Sequence, residues 1–432
     1  MAIFQRSSLN EGVRPREVFG WAMYDFANSG YTTVVLTAVF SAYFVGVVAG
    51  NAAWATFAWT ATLALSAAMV MLLAPAVGAF ADAFGAKKRL LALATVGCVI
   101  TTAGLAYAQA GSVALAVVLI IFSNFFFSIG ESLIAAFLPE LARQEALGKV
   151  SGWGWSFGYF GGMLALGLSL AYVLSAKAGG ASASEFVPVT MLITAGIYAM
   201  AVLPTFLFLR ERARPRGMEA VASGIRGSLD RLRETWHAAR RLQDFFRLLL
   251  CGTCYHAGIA VVVALAAIYA QEAMKFTEVE TMTLIFTVNI AAAAGAFVFG
   301  YAQDRIGHKV ALGLTLLGWI VMTLLAGLGT TRGIFWVAAT LAGLCMGSSQ
   351  SAGRAMIGVL APRERVGEFY GLWTLAVRLA SIIGPMTYGA ITWISAGNHR
   401  MAIVSTGAFF VAGLWLLYAV DMKRGHEVAL RY

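Results

Sequence analysis

The chain has 432 residues, 60% of them hydrophobic and only 12% charged, with a formal net charge of +10. A soluble domain carries roughly 25% charge, so a water-soluble globular protein is excluded. The apolar residues run in continuous blocks of about 20, long enough to cross a ~30 Å hydrocarbon core as helices, and not in the ~10-residue alternating segments of a barrel.

The expected class is an all-α membrane protein, with about twelve transmembrane helices in two pseudo-symmetric six-helix bundles. In chain order, residues 1–17 form a polar cytosolic segment with Arg6, Arg14 and Arg16. Spans are predicted at 18–48, 55–80, 90–109, 113–138, 150–175 and 187–209, giving a first bundle over 18–209. No small-residue cleavage site follows a short apolar core, so the first span reads as a retained anchor. Residues 210–245 form a hydrophilic cytosolic linker. In it Leu229, Leu232, Trp236, Leu242 and Phe245 recur at roughly helical spacing among arginines. This fits an amphipathic helix on an anionic leaflet, or equally a solvated helix packed on the protein. Spans at 246–270, 281–302, 310–329, 334–358, 367–394 and 401–420 form a second bundle over 246–420, and 421–432 is a cytosolic tail.

The net positive charge invites a nucleic-acid reading, but its distribution argues against one. With the N-terminus in the cytosol, only Lys177, Lys275, Arg332 and Arg400 fall in loops on the far side. That is the positive-inside bias, and it puts both termini in the cytosol. Short loops and an alanine-rich composition suggest a bacterial cytoplasmic membrane. Cys251 and Cys254 form a CxxC that lacks the following histidine of a haem attachment site, because Tyr255 precedes His256. No second pair completes a zinc site, so no metal or cofactor is expected. Gly148-Lys149 leads into Val150 and lacks the upstream glycine of a phosphate-binding loop. No nucleophile–base pair is evident, and enzyme activity is not expected.

The two halves resemble each other. Gly78, Asp82 and Gly85, followed by Lys87, Lys88 and Arg89, match Gly300, Asp304 and Gly307, followed by Lys309, 222 residues later. Gly148 and Gly152 match Gly367 and Gly371 at an offset of 219. Two landmarks with nearly one offset indicate a six-plus-six duplication. In the motif, Gly78 reads as a site of close approach and Asp82 as a cap for a neighbouring helix. Gly85 reads as a left-handed turn, and the basic residues as headgroup anchors.

On these motifs the chain resembles the major facilitator superfamily of secondary transporters. Trp21, Ala22, Met23, Tyr24, Asp25, Phe26, Ala27, Asn28, Ser29, Gly30 and Tyr31 narrow the resemblance. They look like the first-helix signature of the branch that holds the fungal vacuole effluxers and their bacterial relatives. The resemblance implies a carrier with a central cavity lined by the first, fourth, seventh and tenth helices. It implies alternating access and, in the fungal members, amino-acid efflux.

The polar residues inside the spans then acquire roles. Asp25, Asn28, Ser29 and Thr32 make one stripe on the first helix; Asn124, Ser128 and Glu131 make one on the fourth; Gly347, Gln350 and Arg354 make one on the tenth. The seventh offers Tyr255 and His256. A charge in lipid costs at least ~2.5–3.5 kcal/mol, so such faces must look into protein or water. Asp25 and Glu131 lie at similar depth, and either is a candidate proton carrier; the alternative is a structural cap. Arg378, near mid-membrane in the eleventh span, needs a partner, and Asp25 or Glu131 would serve as a gate or as a static ion pair. Arg354 is expected to snorkel. Gly154, Gly158 and Gly162 form a close-packing face, which the family pattern would place between the halves so that they can rock. Glu140 with Arg143, and Arg363 with Arg365, read as latch residues pairing with the loop motifs. Trp153, Trp155, Tyr159 and Phe160 would stack on a ligand or, more commonly, pack and mark the interface. The expected partners are a small solute, the bilayer and, in the coupled reading, protons. A monomer is expected, because a channel would need a ring of like residues. A non-transporting receptor or scaffold on a carrier fold, or an exporter of another solute or drug, are the competing readings.

Overall fold

The computed structural model describes residues 6–143, 147–212, 233–362 and 365–431. Among them, regular structure is helical apart from one isolated bridge, Leu9 to Ala142. The first unit holds α1 (Pro15–Tyr31), α2 (Ala55–Phe84), α3 (Lys87–Gly104), α4 (Val113–Ala135), α5 (Leu147–Ala178) and α6 (Ala183–Ala201), with a short helix Leu203–Phe208 after it. The second holds α7 (Gln243–Glu272), α8 (Glu278–Ile306), α9 (His308–Leu328), α10 (Arg332–Leu360), α11 (Val366–Ile394) and α12 (His399–Tyr418). A terminal helix α13 (Met422–Arg431) follows.

Ten helices are long and apolar enough to cross a membrane, judged on the described residues. α8 and α10, at 29 residues each, reach about 43 Å at 1.5 Å per residue. Large apolar side chains such as Leu72, Leu207 and Trp415 are more than two-thirds exposed, which water would penalise and lipid does not.

Local chemistry sets the helix starts. Pro15 opens α1, and the Glu17 carboxylate accepts from the Arg14 N–H at 3.1 Å. Ser182 and Glu185 form a capping box on α6. Thr331 caps α10 and Asn398 caps α12. The first span is not uniformly α-helical. After Tyr31 it widens into π-helical turns over Thr32–Ala38 and Phe44–Val48. An i→i+5 ladder re-aims every side chain beyond it.

The chain forms two compact units, Met1–Ala52 with Leu65–Arg226 and Ala53–Ala64 with Gly227–Tyr432. The start of α2 thus belongs to the second unit. There Trp59 Nε1 donates to the Ala264 carbonyl at 3.2 Å, and Phe57 stacks on Trp393.

The duplication recurs in side-chain detail. Gly85 and Gly307 both take positive φ, 56° and 88°, a conformation that favours glycine. Lys88 Nζ donates to the Leu209 carbonyl, beyond α6, at 2.6 Å; Lys309 Nζ donates to the Tyr418 and Val420 carbonyls, at the end of α12, at 3.1 and 2.6 Å. Each half also fastens its sixth helix to its first with an ion pair. Glu17, buried in the first turn of α1, accepts from Arg212 Nη2 at 2.8 Å. Asp244, buried in the first turn of α7, accepts from Arg424 through Nη2 at 2.6 Å and Nε at 2.8 Å.

The linker and tail are packed on the protein where they are described. Leu229 and Leu232 lie outside the described residues. Thr235 is buried and bonds Glu368 and Arg365 at the start of α11. Leu242 and Phe245 are buried, and Trp236 remains exposed.

Arg212→Ala should strand the Glu17 carboxylate. Its guanidinium is a third exposed, so the expected loss is roughly 2–3 kcal/mol, below that of a fully buried pair. Adding Glu17→Gln should restore at least half of it. Thermal unfolding of the two single variants and the double variant checks this; an equal loss in the double would mean that the clasp does not act through charge.

Candidate functional site

The first helix is held on one side by the polar atoms of aromatic side chains. Trp21 Nε1 donates to the Ile134 carbonyl of α4 at 2.9 Å. Tyr24 Oη shares a hydrogen bond with Thr95 Oγ1 of α3 at 3.1 Å, and Tyr31 Oη shares one with Ser123 Oγ of α4 at 2.8 Å. Tyr198 of α6 donates to Asn28 Oδ1 at 2.7 Å. Asn28 is 6% exposed, and its Nδ2 has no acceptor among the described residues. Asn28 therefore points into the interior of its own unit, which corrects the expectation that it lines one stripe with Asp25.

The other side of α1 lies on α5. A Cβ at Gly158 would come within 2.7 Å of Ser29 Oγ, and one at Gly162 within 2.7 Å of Thr33 Oγ1. At Gly161 it would strike the Phe26 carbonyl, and at Gly154 the Asp25 carboxylate. The glycine ladder of α5 is thus turned to α1 of the same unit. This corrects its expected role between the halves. The glycines let two backbones approach until the polar groups of α1 meet bare Cα atoms.

Asp25 stands between these two sides, half-buried, beside Gly154 and Trp21. Glu131 of α4, also half-buried, is close enough to act on its charge. The sequence stripe Asp25, Asn28, Ser29 and Thr32 is therefore divided among neighbours. Asn28 faces α6, Ser29 faces α5, and the Thr32 hydroxyl returns to the Asn28 carbonyl at 3.2 Å.

On α4, Asn124 Nδ2 donates to Ser66 Oγ of α2 at 3.2 Å, and Ser128 is buried. On α7, Tyr255 is fully buried, with its hydroxyl against the Ser349 carbonyl at 3.5 Å. His256 sits edge-on to Trp373, 5.4 Å between ring centres. Gln350 of α10 and Arg378 of α11 are half-buried in the second unit. Thus Glu131 lies within electrostatic range of Asp25, while Tyr255 belongs to a packed core.

The loop motif differs from its expected chemistry at several points. Gly78 lies within α2, and an added Cβ meets open space, so close approach does not explain it. The side chains of Asp82, Asp304 and Arg354, and Gly300 with them, lie outside the described residues. The N-terminus of α3 is instead capped by Glu211, whose carboxylate accepts from the Lys87 and Lys88 N–H groups at 2.7 and 3.1 Å. Lys87 pairs with Glu140 at 3.1 Å, and Lys88 with the Leu209 carbonyl, so both ammonium groups bond protein. Glu140 also accepts from the Arg212 N–H at 3.1 Å. Arg143 turns away, its Nε donating to the Leu9 carbonyl at 3.0 Å. Arg365 bonds Glu368 and Thr235, not the second loop motif. Arg363 and Trp155 lie outside the described residues, and Phe160 is exposed.

The functional candidates missed in the sequence are Tyr198, Glu211, and the Glu17 and Arg212 pair. An acid at the start of each half and an arginine after each sixth span were visible signals. Nothing local marked Tyr198.

The family described as "Vacuole effluxer Atg22 like" matches residues 41–430. An uncharacterized MFS-type transporter of Bacillus subtilis, YxiO, is 26% identical over 414 residues, covering 95% of this chain and 96% of that one. Autophagy-related protein 22 of Kluyveromyces lactis is 22% identical over 329 residues, covering 70% of this chain and 65% of the fungal protein. Autophagy-related protein 22-1 of Penicillium rubens is 24% identical, and the match spans half of its length. Among solved structures, a D-xylose-proton symporter superposes with a TM-score of 0.70 at 17% identity, over 95% of this chain and 98% of the symporter. An inward-facing bacterial homolog of the human lysosomal transporter Spinster gives 0.70 at 14% identity, over 97% and 99%.

The α1–α5 packing makes two glycines differ in a testable way. Gly161→Ala should force the backbones apart and cost roughly 1–3 kcal/mol. Gly78→Ala meets open space and should be neutral or slightly stabilising, within about 1 kcal/mol. Thermal midpoints of the two variants in one detergent check this, and equal losses would refute the packing.

Proposed function

The chain belongs to the vacuole effluxer Atg22-like family of major facilitator transporters, and from that membership we propose a proton-coupled exporter of small neutral or zwitterionic solutes, amino acids first. Membership makes it an integral membrane transporter and not an enzyme. The bacterial cytoplasmic membrane, with both termini cytosolic, is its proposed setting, supported by the cation distribution.

The observation that carries the coupling reading is the Asp25 and Glu131 pair. Both carboxylates are half-buried, and like charges within reach of each other repel. A shared proton relieves the repulsion. Its release when the site opens to the other side, in an alternating-access cycle, would couple proton movement to solute movement. Asp25 stands beside bare Gly154, which leaves room around its carboxylate. The substrate class rests on the scarcity of charge. The spans of the first half offer acids and those of the second offer Arg354 and Arg378, a balance suited to a zwitterion better than to a polyanion.

Reconstituted vesicles carrying an imposed proton gradient test this reading. Neutral amino acids should be moved against their gradient, and Glu131→Gln should abolish gradient-driven movement while leaving solute exchange within about threefold of normal. If the wild-type protein moves nucleosides or sugars and no amino acid, the substrate assignment fails. If Glu131→Gln and Asp25→Asn both keep proton-driven movement, the pair is structural.

A further inference from the structure

Where α13 packs against α7 and α10 there is an open pocket of about 150 Å³ that the carrier reading does not use. Arg241 just before α7, Gln243, Asp244 and Phe245 in its first turn, Leu360 at the end of α10, and Arg424 and Val428 of α13 line it. Solute sites for drug-sized molecules run to roughly 300–1,000 Å³. This pocket suits a smaller group.

Its charges are unequally used. Arg424 is matched by Asp244 through two hydrogen bonds. Arg241 is exposed and has no acidic partner among the described residues. Gln243 is exposed beside it, at the first position of α7. The surroundings are basic: over 233–247 and 421–431, seven lysines and arginines accompany four acids. An anionic group is the complement of this set.

The apolar part of the pocket specifies what carries the anion. Phe245 and Leu360 form a buried wall, while Val428, Leu430 and Trp236 remain 42%, 50% and 40% exposed nearby in the chain elements around it. Gln243 also opens a membrane-crossing helix, so the pocket lies where headgroups begin. Arginine, tryptophan and exposed aliphatic side chains at that depth suit a lipid with an anionic head. A free inorganic anion would gain nothing from the apolar wall.

We propose that this pocket binds the headgroup phosphate of an anionic phospholipid. Arg241 supplies the charge, Gln243 an amide donor, and Val428, over the floor of Phe245 and Leu360, the exposed surface for the glycerol and first acyl carbons.

The test uses the full chain, delipidated in detergent. Native mass spectrometry and thermal unfolding are recorded with phosphatidylglycerol, phosphatidylcholine or inorganic phosphate. Phosphatidylglycerol should stay bound and raise the midpoint, and the other two should do neither. Arg241→Gln should weaken phosphatidylglycerol binding roughly fivefold, the effect of one arginine at an anionic surface, with the lipid-free midpoint unchanged. Val428→Glu should weaken it as well. Equal retention of the two lipids, or wild-type retention by Arg241→Gln, overturns the proposal. A midpoint raised as much by inorganic phosphate overturns the lipid assignment in favour of a soluble anion.

Discussion

Each half of this chain buries a carboxylate where its first helix enters the membrane, and the closing of that half depends on neutralising it. Glu17 and Asp244 are almost wholly removed from solvent. A buried charge without a partner costs several kcal/mol. In both halves the answer is an arginine just beyond the sixth helix, Arg212 or Arg424. The chain thereby ties the last helix of a bundle to its first, closing a ring that lipid alone would not hold. Apolar surfaces gain nothing from meeting each other in hydrocarbon. Charge, hydrogen bonding and close backbone packing have to supply the specificity.

The rest of the first unit follows from the same scarcity of driving force. α1 is fixed on one side by tyrosine and tryptophan hydrogen bonds, and on the other by the glycine ladder of α5. Between these two sides Asp25 is left beside Glu131 without a bulky neighbour at Gly154. The buried Asn28 Nδ2 has no acceptor among the described residues. An unmet buried donor costs about 1–3 kcal/mol.

What could be read in the sequence was whatever a local pattern encodes. Span length follows from apolar runs, and the duplication from the repeated glycines, two of which, Gly85 and Gly307, do take the left-handed turn. Partner identity was not legible. Tyr198 meets Asn28 across 170 residues, and Glu211 caps α3 across 124; no spacing rule joins such pairs. The stripe on α1 was misread for two reasons. A polar residue at helical spacing was assigned to one cavity face, when three neighbouring helices each claim part of that face. The regular period also ends at Tyr31, where the π-helical turns begin. The role of α5 was misread because a glycine ladder says that something approaches closely, and not which helix does.

Duplication and divergence divide the work between the halves. The repeated features are all at the helix ends: the left-handed glycines, the lysines that reach the sixth-helix carbonyls, and the buried acids with their arginines. A shared clasp can be inherited unchanged, because closing a bundle makes the same demand in either half. The middles of the spans have parted company. The first half keeps Asp25 and Glu131 there, and the second keeps Arg378. Intramembrane charge is expensive wherever it stands, so its retention with opposite sign in two copies of one scaffold is not explained by closing the bundles.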